Sequence, residues 1–264
     1  MRKKLVAILS LVIIVVAISG PAMAIRNGER DNGEHPYVGL LYAYLGPGQG
    51  GYVCSGTLLN PTVFLTAAHC LAVPAIEFRV SFTEQPLVNG FNWVYGTAYP
   101  HPEYTGLYVP DTSDIGVVIL STPVSLPKYG QLPSAGLLDS LATARGLKNV
   151  IFTAVGYGLQ DSKPDQARRP IEEWDMARYK ANQRLIEITS AFNGGFNVKL
   201  TNNQGIGGGT CSGDSGGPIL HGGTDVVVAI NSFGVAPYCK GTDYAYRTDT
   251  PKARAFLSQF ITVP

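Results

Sequence analysis

A glycine-rich segment near the end of the chain carries residues suited to nucleophilic chemistry. Six of the twelve residues from Gly207 to Pro218 are glycine, and the others include Asp214 and Ser215. Glycine favours turns with positive φ, so this composition predicts a loop that approaches other groups closely. Such a loop can present a serine hydroxyl while leaving backbone N–H groups free for the oxyanion of acyl transfer. Ser215 is the candidate nucleophile, and the N–H groups of Gly213 and Ser215 are the candidate oxyanion donors.

Two residues earlier in the chain could supply the base and the acid that a serine nucleophile needs. His69 follows the apolar and β-branched run 62–66 and precedes Cys70, which would pin it if it formed a disulfide. Asp114 begins the apolar run Asp-Ile-Gly-Val-Val-Ile-Leu, where a carboxylate would be desolvated unless a group such as a histidine N–H paired with it. His69 is therefore the candidate base, and Asp114 is the candidate orienting acid.

Other orders of the catalytic groups fit the chain less well. The segment around Ser215 also matches the G-x-S-x-G pattern of α/β-hydrolases, in which an acid and then a histidine follow the serine. Only His221 follows Ser215, and no carboxylate lies between them, so that order fails. A subtilisin order would need an aspartate ahead of His69, and nothing around Asp31 supports that role.

The elements that must position these residues are mostly strands. Many short β-like runs are separated by glycine, proline and asparagine, which indicates an all-β sandwich or barrel rather than β-α-β units. Only the end of the chain has a helical pattern, in which Thr250 can cap the first turn and Pro251 suits its first position. The clearest runs are 37–44, 53–59, 64–67, 77–82, 115–120, 150–156, 184–188 and 226–233.

Four cysteines in an exported chain predict two disulfides, for which three connectivities exist. Spacing favours Cys54 with Cys70 and Cys211 with Cys239, because each pair brackets a strand-loop-strand segment. The sequence has no Cys-x-x-Cys motif and no suitable histidine cluster, so no metal site is predicted. No cofactor is expected.

The first 24 residues have the pattern of a secretory signal peptide. A basic start, the apolar run 5–18 and Ala22-Met23-Ala24 match a signal with an A-x-A cleavage site. The apolar run is shorter than the ~20 residues of a spanning helix, so we expect cleavage, secretion to an extracellular or periplasmic space, and no membrane association afterwards. The formal net charge of +1 gives no reason to expect a nucleic-acid partner.

Three motifs together resemble one family. Thr-Ala-Ala-His-Cys around His69, the run from Asp114, and Gly-Asp-Ser-Gly-Gly-Pro around Ser215 stand in the order of the chymotrypsin-like (trypsin-like) serine peptidases. The resemblance covers essentially all of residues 25–264. It implies an all-β fold of two antiparallel six-stranded barrels, at about 25–135 and 136–249, and a C-terminal helix at about 250–262.

The resemblance also implies how the site works. Ser215 would attack the scissile carbonyl while His69 takes its proton and Asp114, bonded also to Ser232, orients the imidazole. In this family a new N-terminal isoleucine pairs with the aspartate before the nucleophile. Ile25 directly follows Ala24, so we expect signal cleavage itself to create the Ile25–Asp214 ion pair, with no zymogen stage.

The pocket for the substrate side chain is predicted in outline only. Trypsin-type members carry an aspartate at the position of Gly209. If Arg247 matches the family's basic residue, Asp243 points into the pocket and selects Arg or Lys or gives broad preference. If Tyr246 matches the family's pocket tyrosine, Tyr244 narrows the site instead. The full set of expected substrate-binding residues is Gly209, Thr210, Ser232, Phe233, Gly234, Asp243 and Tyr244.

The sequence therefore predicts a secreted serine endopeptidase that works through an acyl-enzyme. We expect protein or peptide substrates, proteinaceous inhibitors and a monomer. Two alternatives are a non-catalytic binding protein on the same fold, which would usually have lost a triad residue or the oxyanion glycine, and a secreted serine esterase.

Overall fold

A computed structural model describes residues 25–143, 150–165, 167, 170–203, 205 and 207–264. The predicted signal peptide lies outside these residues. No helix in the described ranges is long and apolar enough to cross a membrane. The elements are β1 Glu29–Arg30, β2 Val38–Gly46, β3 Gly50–Leu58, β4 Val63–Thr66, α1 Ala68–Leu71, β5 Glu77–Ser81, α2 Pro86–Asn89, β6 Val94–Pro100, β7 Gly116–Leu120, α3 Leu137–Thr143, β8 Ile151–Gly156, β9 Asp161–Pro164, β10 Pro170–Glu173, β11 Tyr179–Glu187, β12 Asn197–Asn202, β13 Pro218–His221, β14 Val227–Gly234, β15 Gly241–Arg247 and α4 Pro251–Leu257.

The first barrel is closed by six strands in the order β2-β3-β4-β7-β6-β5. Each neighbouring pair is antiparallel, and β5 pairs back with β2 to complete the ring. Leu40, Leu58, Leu65, Val80 and Val118 belong to its core and are inaccessible to solvent. Burial of apolar surface of this kind stabilises by about 25 cal/mol per Å². The end of β4 lies beside the start of β7, since Thr66 pairs with Gly116. His69 follows the end of β4, and Asp114 precedes the start of β7.

The second barrel is closed in the order β8-β11-β12-β15-β14-β13, with β13 pairing back to β8. The short strand β1 adds to β11, with Glu29 opposite Lys180. Residues 29–30 therefore join the second sheet, although the sequence assigned them to the first barrel. Closure leaves few strand edges open, which suits an antiparallel all-β architecture. The predicted fold class of two six-stranded barrels and a C-terminal helix is confirmed.

The helix α4 begins where the sequence predicts and ends earlier. The Thr250 hydroxyl caps it by accepting the Ala253 N–H at 3.3 Å, and Pro251 occupies its first turn. The buried face carries Ala253, Phe256 and Leu257. The helix stops at Leu257 rather than near residue 262, because the chain tightens into a turn in which the Phe260 N–H bonds the Leu257 carbonyl at 2.9 Å.

Each of the eight predicted runs coincides with an observed strand whose ends are shifted by a few residues. The runs that the sequence missed include β12, β13 and β15, which complete the second barrel. They were hard to recognise because β12 and β15 bury polar side chains, among them Asn197, Asn202 and Asp243. Hydrogen bonds inside the protein hold these side chains, and an apolar alternation therefore does not appear.

The two disulfides have the predicted connectivity. Cys54 bonds Cys70, with Cα atoms 6.3 Å apart, and this bridge ties β3 to α1. Cys211 bonds Cys239, with Cα atoms 5.1 Å apart, and ties the glycine-rich loop to the segment before β15. Both bridges therefore fix segments that carry candidate site residues.

A buried ion pair joins the N-terminal segment to both barrels. The Asp31 carboxylate is inaccessible to solvent and accepts hydrogen bonds from Arg178 Nε at 2.8 Å and from the His35 N–H at 3.0 Å. Arg178 also donates to the carbonyls of Val38 and Phe82. Burial alone would raise the pKa of Asp31, but the contacts with His35 and Arg178 outweigh it and lower the pKa to about 2. Asp31 therefore serves the fold rather than a subtilisin-like site.

Candidate active site

His69 and Asp114 are held together by two hydrogen bonds. The Asp114 carboxylate, which is inaccessible to solvent, accepts the His69 backbone N–H at 2.8 Å and faces His69 Nδ1 at 2.8 Å. The Ser232 hydroxyl donates to Asp114 Oδ2, which is the contact that the family resemblance implied. His69 sits on the single-turn helix α1, fixed by the adjacent disulfide. An Nδ1–H that donates to Asp114 leaves Nε2 unprotonated and able to accept a proton.

Ser215 lies where the glycine-rich loop meets the first barrel. Its carbonyl accepts the Ser55 N–H at 2.7 Å and lies 3.7 Å from Cys70 Sγ, the residue after His69. The next residue, Gly216, has φ of 78°, and a Cβ there would lie 2.1 Å from Thr66 Oγ1. Only glycine permits both the conformation and this approach. The loop therefore brings the Ser215 backbone against the segment that carries His69.

The peptide of Gly213 is anchored by its carbonyl. Ser55 Oγ donates to the Gly213 carbonyl at 2.9 Å and accepts the Tyr157 N–H at 3.0 Å. Gly213 has φ of 96°, which favours glycine. Among the described residues, nothing accepts a hydrogen bond from the N–H of Gly213 or of Ser215. These two donors are thus available to a ligand, as the oxyanion prediction requires.

Asp214 is a buried acid without a basic partner in the described part of the chain. Its carboxylate accepts the N–H groups of Gly158 and Cys211 at 2.8 and 2.9 Å. Burial raises the pKa of Asp214 to about 7, although these two N–H groups lower it. Ile25 is completely buried, and the next residue, Arg26, bridges to Gly209 in antiparallel fashion. The expected Ile25–Asp214 ion pair needs a free ammonium at Ile25 and stays a prediction.

A cavity of about 270 Å³ opens beside Ser215. Asp243 lines it, and Gly234 lies opposite Asp243 in the β14–β15 pairing. This position corresponds to the first of the two registers considered from the sequence. Exposed Lys240 also contributes to the lining. The remaining lining residues are Ser162, Thr210, Cys211, Ser212, Asn231, Ser232, Phe233, Gly234, Ala236, Tyr238, Cys239 and Thr242.

Tyr244 and Gly209 lie differently from what a substrate-contacting role requires. The Tyr244 ring stacks on Phe233, with centroids 4.9 Å apart and planes 5° apart, and also contacts Phe192. Tyr244 therefore supports the β14 side of the site instead of narrowing the cavity. Gly209 packs against Asn202, since a Cβ on Gly209 would lie 2.2 Å from Asn202 Cγ. Gly209 therefore gives the room that Asn202 occupies, and neither residue lines the cavity.

Three residues in these contacts were not predicted as site residues. Ser55 lies between the half-cystine Cys54 and Gly56. This local pattern is the sequence signal that could have marked its hydroxyl. Asn202 and Gln183 both donate to the Asp243 carboxylate. Nothing local marks either residue, because the contact joins strands far apart in the chain. Sequence spacing cannot reveal such pairs.

Comparisons with known proteins identify the family of this chain and its fold. A family model described as Trypsin matches residues 25–256. CLIP domain-containing serine protease B15 of Anopheles gambiae is 26% identical over 234 residues, which cover 80% of this chain and 62% of that protein. Brachyurin of Leptuca pugilator is 27% identical over 197 residues, which cover 72% of this chain and 79% of that protein. The chain thus spans less than two thirds of the Anopheles protein.

A solved structure titled as HL collagenase has the same fold. It superposes with a TM-score of 0.68 at 19% identity, covering 89% of this chain and 97% of that chain. At this identity the likeness establishes the architecture of the two barrels. What the site does must therefore be argued from its own residues.

Proposed function

Because the chain belongs to the trypsin family of serine proteases, we propose that it is a serine endopeptidase that cleaves protein or peptide substrates through an acyl-enzyme. The observation that carries this proposal is the buried Asp114 carboxylate, which holds His69 Nδ1 at 2.8 Å beside the segment that contacts Ser215. A buried carboxylate costs free energy unless hydrogen-bond donors meet it, and Asp114 is met by the His69 ring, which a carboxylate in this position orients.

Ser215 Oγ attacks the scissile carbonyl carbon while His69 Nε2 takes the hydroxyl proton. Asp114 holds the other ring nitrogen and stabilises the imidazolium that results, and Ser232 fixes the second lone pair of Asp114 Oδ2. The tetrahedral oxyanion accepts the N–H groups of Gly213 and Ser215, for which the described residues offer no other acceptor. His69 then protonates the leaving amine, and water repeats the transfers to release the acid.

Activation follows from removal of residues 1–24. The new Ile25 ammonium would neutralise Asp214, whose carboxylate otherwise stays buried without a positive partner. This pairing would hold the Gly213 peptide in place, because Asp214 directly follows it. The protein is then secreted and active without a separate zymogen.

The test uses the chain beginning at Ile25, incubated with an unbiased peptide library and analysed by mass spectrometry. We expect cleavage by the wild type and loss of about 10⁴-fold or more in Ser215→Ala. Ser121→Ala, an exposed serine outside the site, is the matched control and should cleave like the wild type. A fluorophosphonate probe should label Ser215 in the wild type and in the control.

Two results would overturn the proposal. Equal cleavage by wild type and Ser215→Ala would remove Ser215 from the mechanism. A folded wild type that neither cleaves nor reacts with the probe would instead indicate a binding protein on this fold. Matched ester and amide substrates separate an esterase from a peptidase, since only a peptidase hydrolyses both.

A further inference from the structure

The Asp243 carboxylate is held by donors that come from three different segments. Oδ2 accepts the Thr210 N–H at 2.7 Å and the Gln183 side-chain amide at 2.5 Å. Oδ1 accepts the Asn202 side-chain amide at 2.7 Å. A carboxylate has about four acceptor positions, so these three donors leave one of them on the Oδ1 side. The arrangement fixes the carboxylate and still leaves it able to bind a donor from the cavity.

Asn202 fills the space that a side chain at position 209 would occupy. An ideal Cβ on Gly209 would lie 2.2 Å from Asn202 Cγ and 2.4 Å from Asn202 Oδ1. Asn202 is itself 1% exposed and is held by a second hydrogen bond from its amide to the Thr210 carbonyl at 2.9 Å. The space beside Gly209 is therefore filled by a side chain from β12, while the acid that lines the cavity comes from β15.

This network has more acceptors than donors. Asn202 Oδ1 and Gln183 Oε1 are both buried and have no hydrogen-bond partner among the described residues. Gln183 is completely inaccessible to solvent, and its side-chain amide donates to Asp243 and to the Thr201 carbonyl. The dipoles of the two unpaired oxygens add negative potential behind the Asp243 carboxylate. A guest that brings positive charge to Asp243 is favoured by this potential.

We propose that Asn202 and Gln183 are specificity-determining residues, which hold the Asp243 carboxylate so that it binds a substrate side chain ending in a cation. The inference rests on the proposed peptidase function and names the substrate side chain of the same site. Neither residue touches the reacting atoms. They act through Asp243, and a change in them alters the choice between substrates rather than the chemical step.

The experiment compares two peptide substrates that differ only in Lys or Leu before the scissile bond. Asn202→Leu and Gln183→Met keep nearly the same volume and remove the amide donors. We expect each to lower the ratio of kcat/KM for Lys over Leu by about 10- to 100-fold, as loss of a hydrogen bond to a charged group implies. Asn203→Leu, at the exposed next position, should leave the ratio within about threefold of the wild type.

A binding measurement separates this inference from the peptidase proposal. Ser215→Ala protein should bind butylguanidinium, which carries the end of an arginine side chain, and Ser215→Ala/Asn202→Leu should bind it about tenfold or more weakly by calorimetry. That result with no peptide cleavage by the wild type would overturn the peptidase and leave Asn202 and Asp243 as a binding site for a cationic side chain. Peptide cleavage with an unchanged Lys/Leu ratio in both variants would overturn the inference alone. An equal loss of kcat/KM on the Lys and the Leu peptide, together with a lower Tm, would also overturn the inference, since that result would show a purely structural role for the two residues.

Discussion

Replacing Gly209 by alanine should destabilise the protein through one contact, that with Asn202. Gly209 has an ordinary backbone conformation, so the added methyl group meets no φ penalty. It would instead lie 2.2 Å from Asn202 Cγ and 2.6 Å from Asn202 Cβ, well inside van der Waals contact. Turning Asn202 away would break its bonds to Thr210 and Asp243, a loss of about 3 kcal/mol. A local backbone shift would cost about 1–3 kcal/mol. The protein should adopt whichever of these two responses costs less free energy, and we therefore expect a destabilisation of about 2 kcal/mol.

The same contact predicts strong coupling between the two positions. In an Asn202→Gly background the space is empty, and Gly209→Ala should then be neutral or stabilise by about 0.5 kcal/mol through the unfolded state. The interaction energy from the four proteins should therefore be about 2 kcal/mol or more. Urea unfolding of the four proteins in a Ser215→Ala background, which prevents autolysis, measures it. An equal penalty for Gly209→Ala in both backgrounds would refute the reasoning, as would an alanine variant as stable as its parent.

Three further predictions concern the oxyanion peptide and two buried acids. Ser55→Ala should lower kcat by about tenfold or more with little change in KM, because the Gly213 carbonyl loses its anchor; an unchanged kcat on peptide substrates would contradict this. In a chain that keeps residues before Ile25, the free energy of unfolding should fall as pH rises from about 4 to 7, since the pKa of Asp214 is raised from 3.8 to about 7. Urea titrations at several pH values should show this fall vanishing in Asp214→Asn and in the chain that begins at Ile25; persistence in the latter would argue against the ion pair. Asp31, with its pKa lowered from 3.8 to about 2, should contribute stability above pH 4 that is lost as pH falls towards 2, so Asp31→Asn should be less stable than the wild type at pH 7 and nearly equal to it at pH 2.

The sequence by itself was sufficient to predict candidate reacting residues and the class of fold, of which the fold class is confirmed. A serine in a glycine-rich loop, a histidine beside a half-cystine and an aspartate before an apolar strand each leave a local signal. Short apolar runs separated by turn residues likewise reveal barrel strands, because burial of one face needs a local alternation of side chains. The two disulfides could be paired from spacing for the same reason, since each closes a short segment.

Only the tertiary structure decided how the pocket is built. Asn202, Gln183 and Asp243 lie on three strands, β12, β11 and β15, and nothing in their local sequence indicates that they meet. The register of β15, ambiguous between Asp243 and Tyr244, is set by its pairing with β14 across the barrel. A shift of one residue would exchange the two faces of the strand, so the choice depends on all the strands that surround it. The proposed specificity pocket therefore depends on long-range packing, whereas the candidate reactive residues are marked by short motifs.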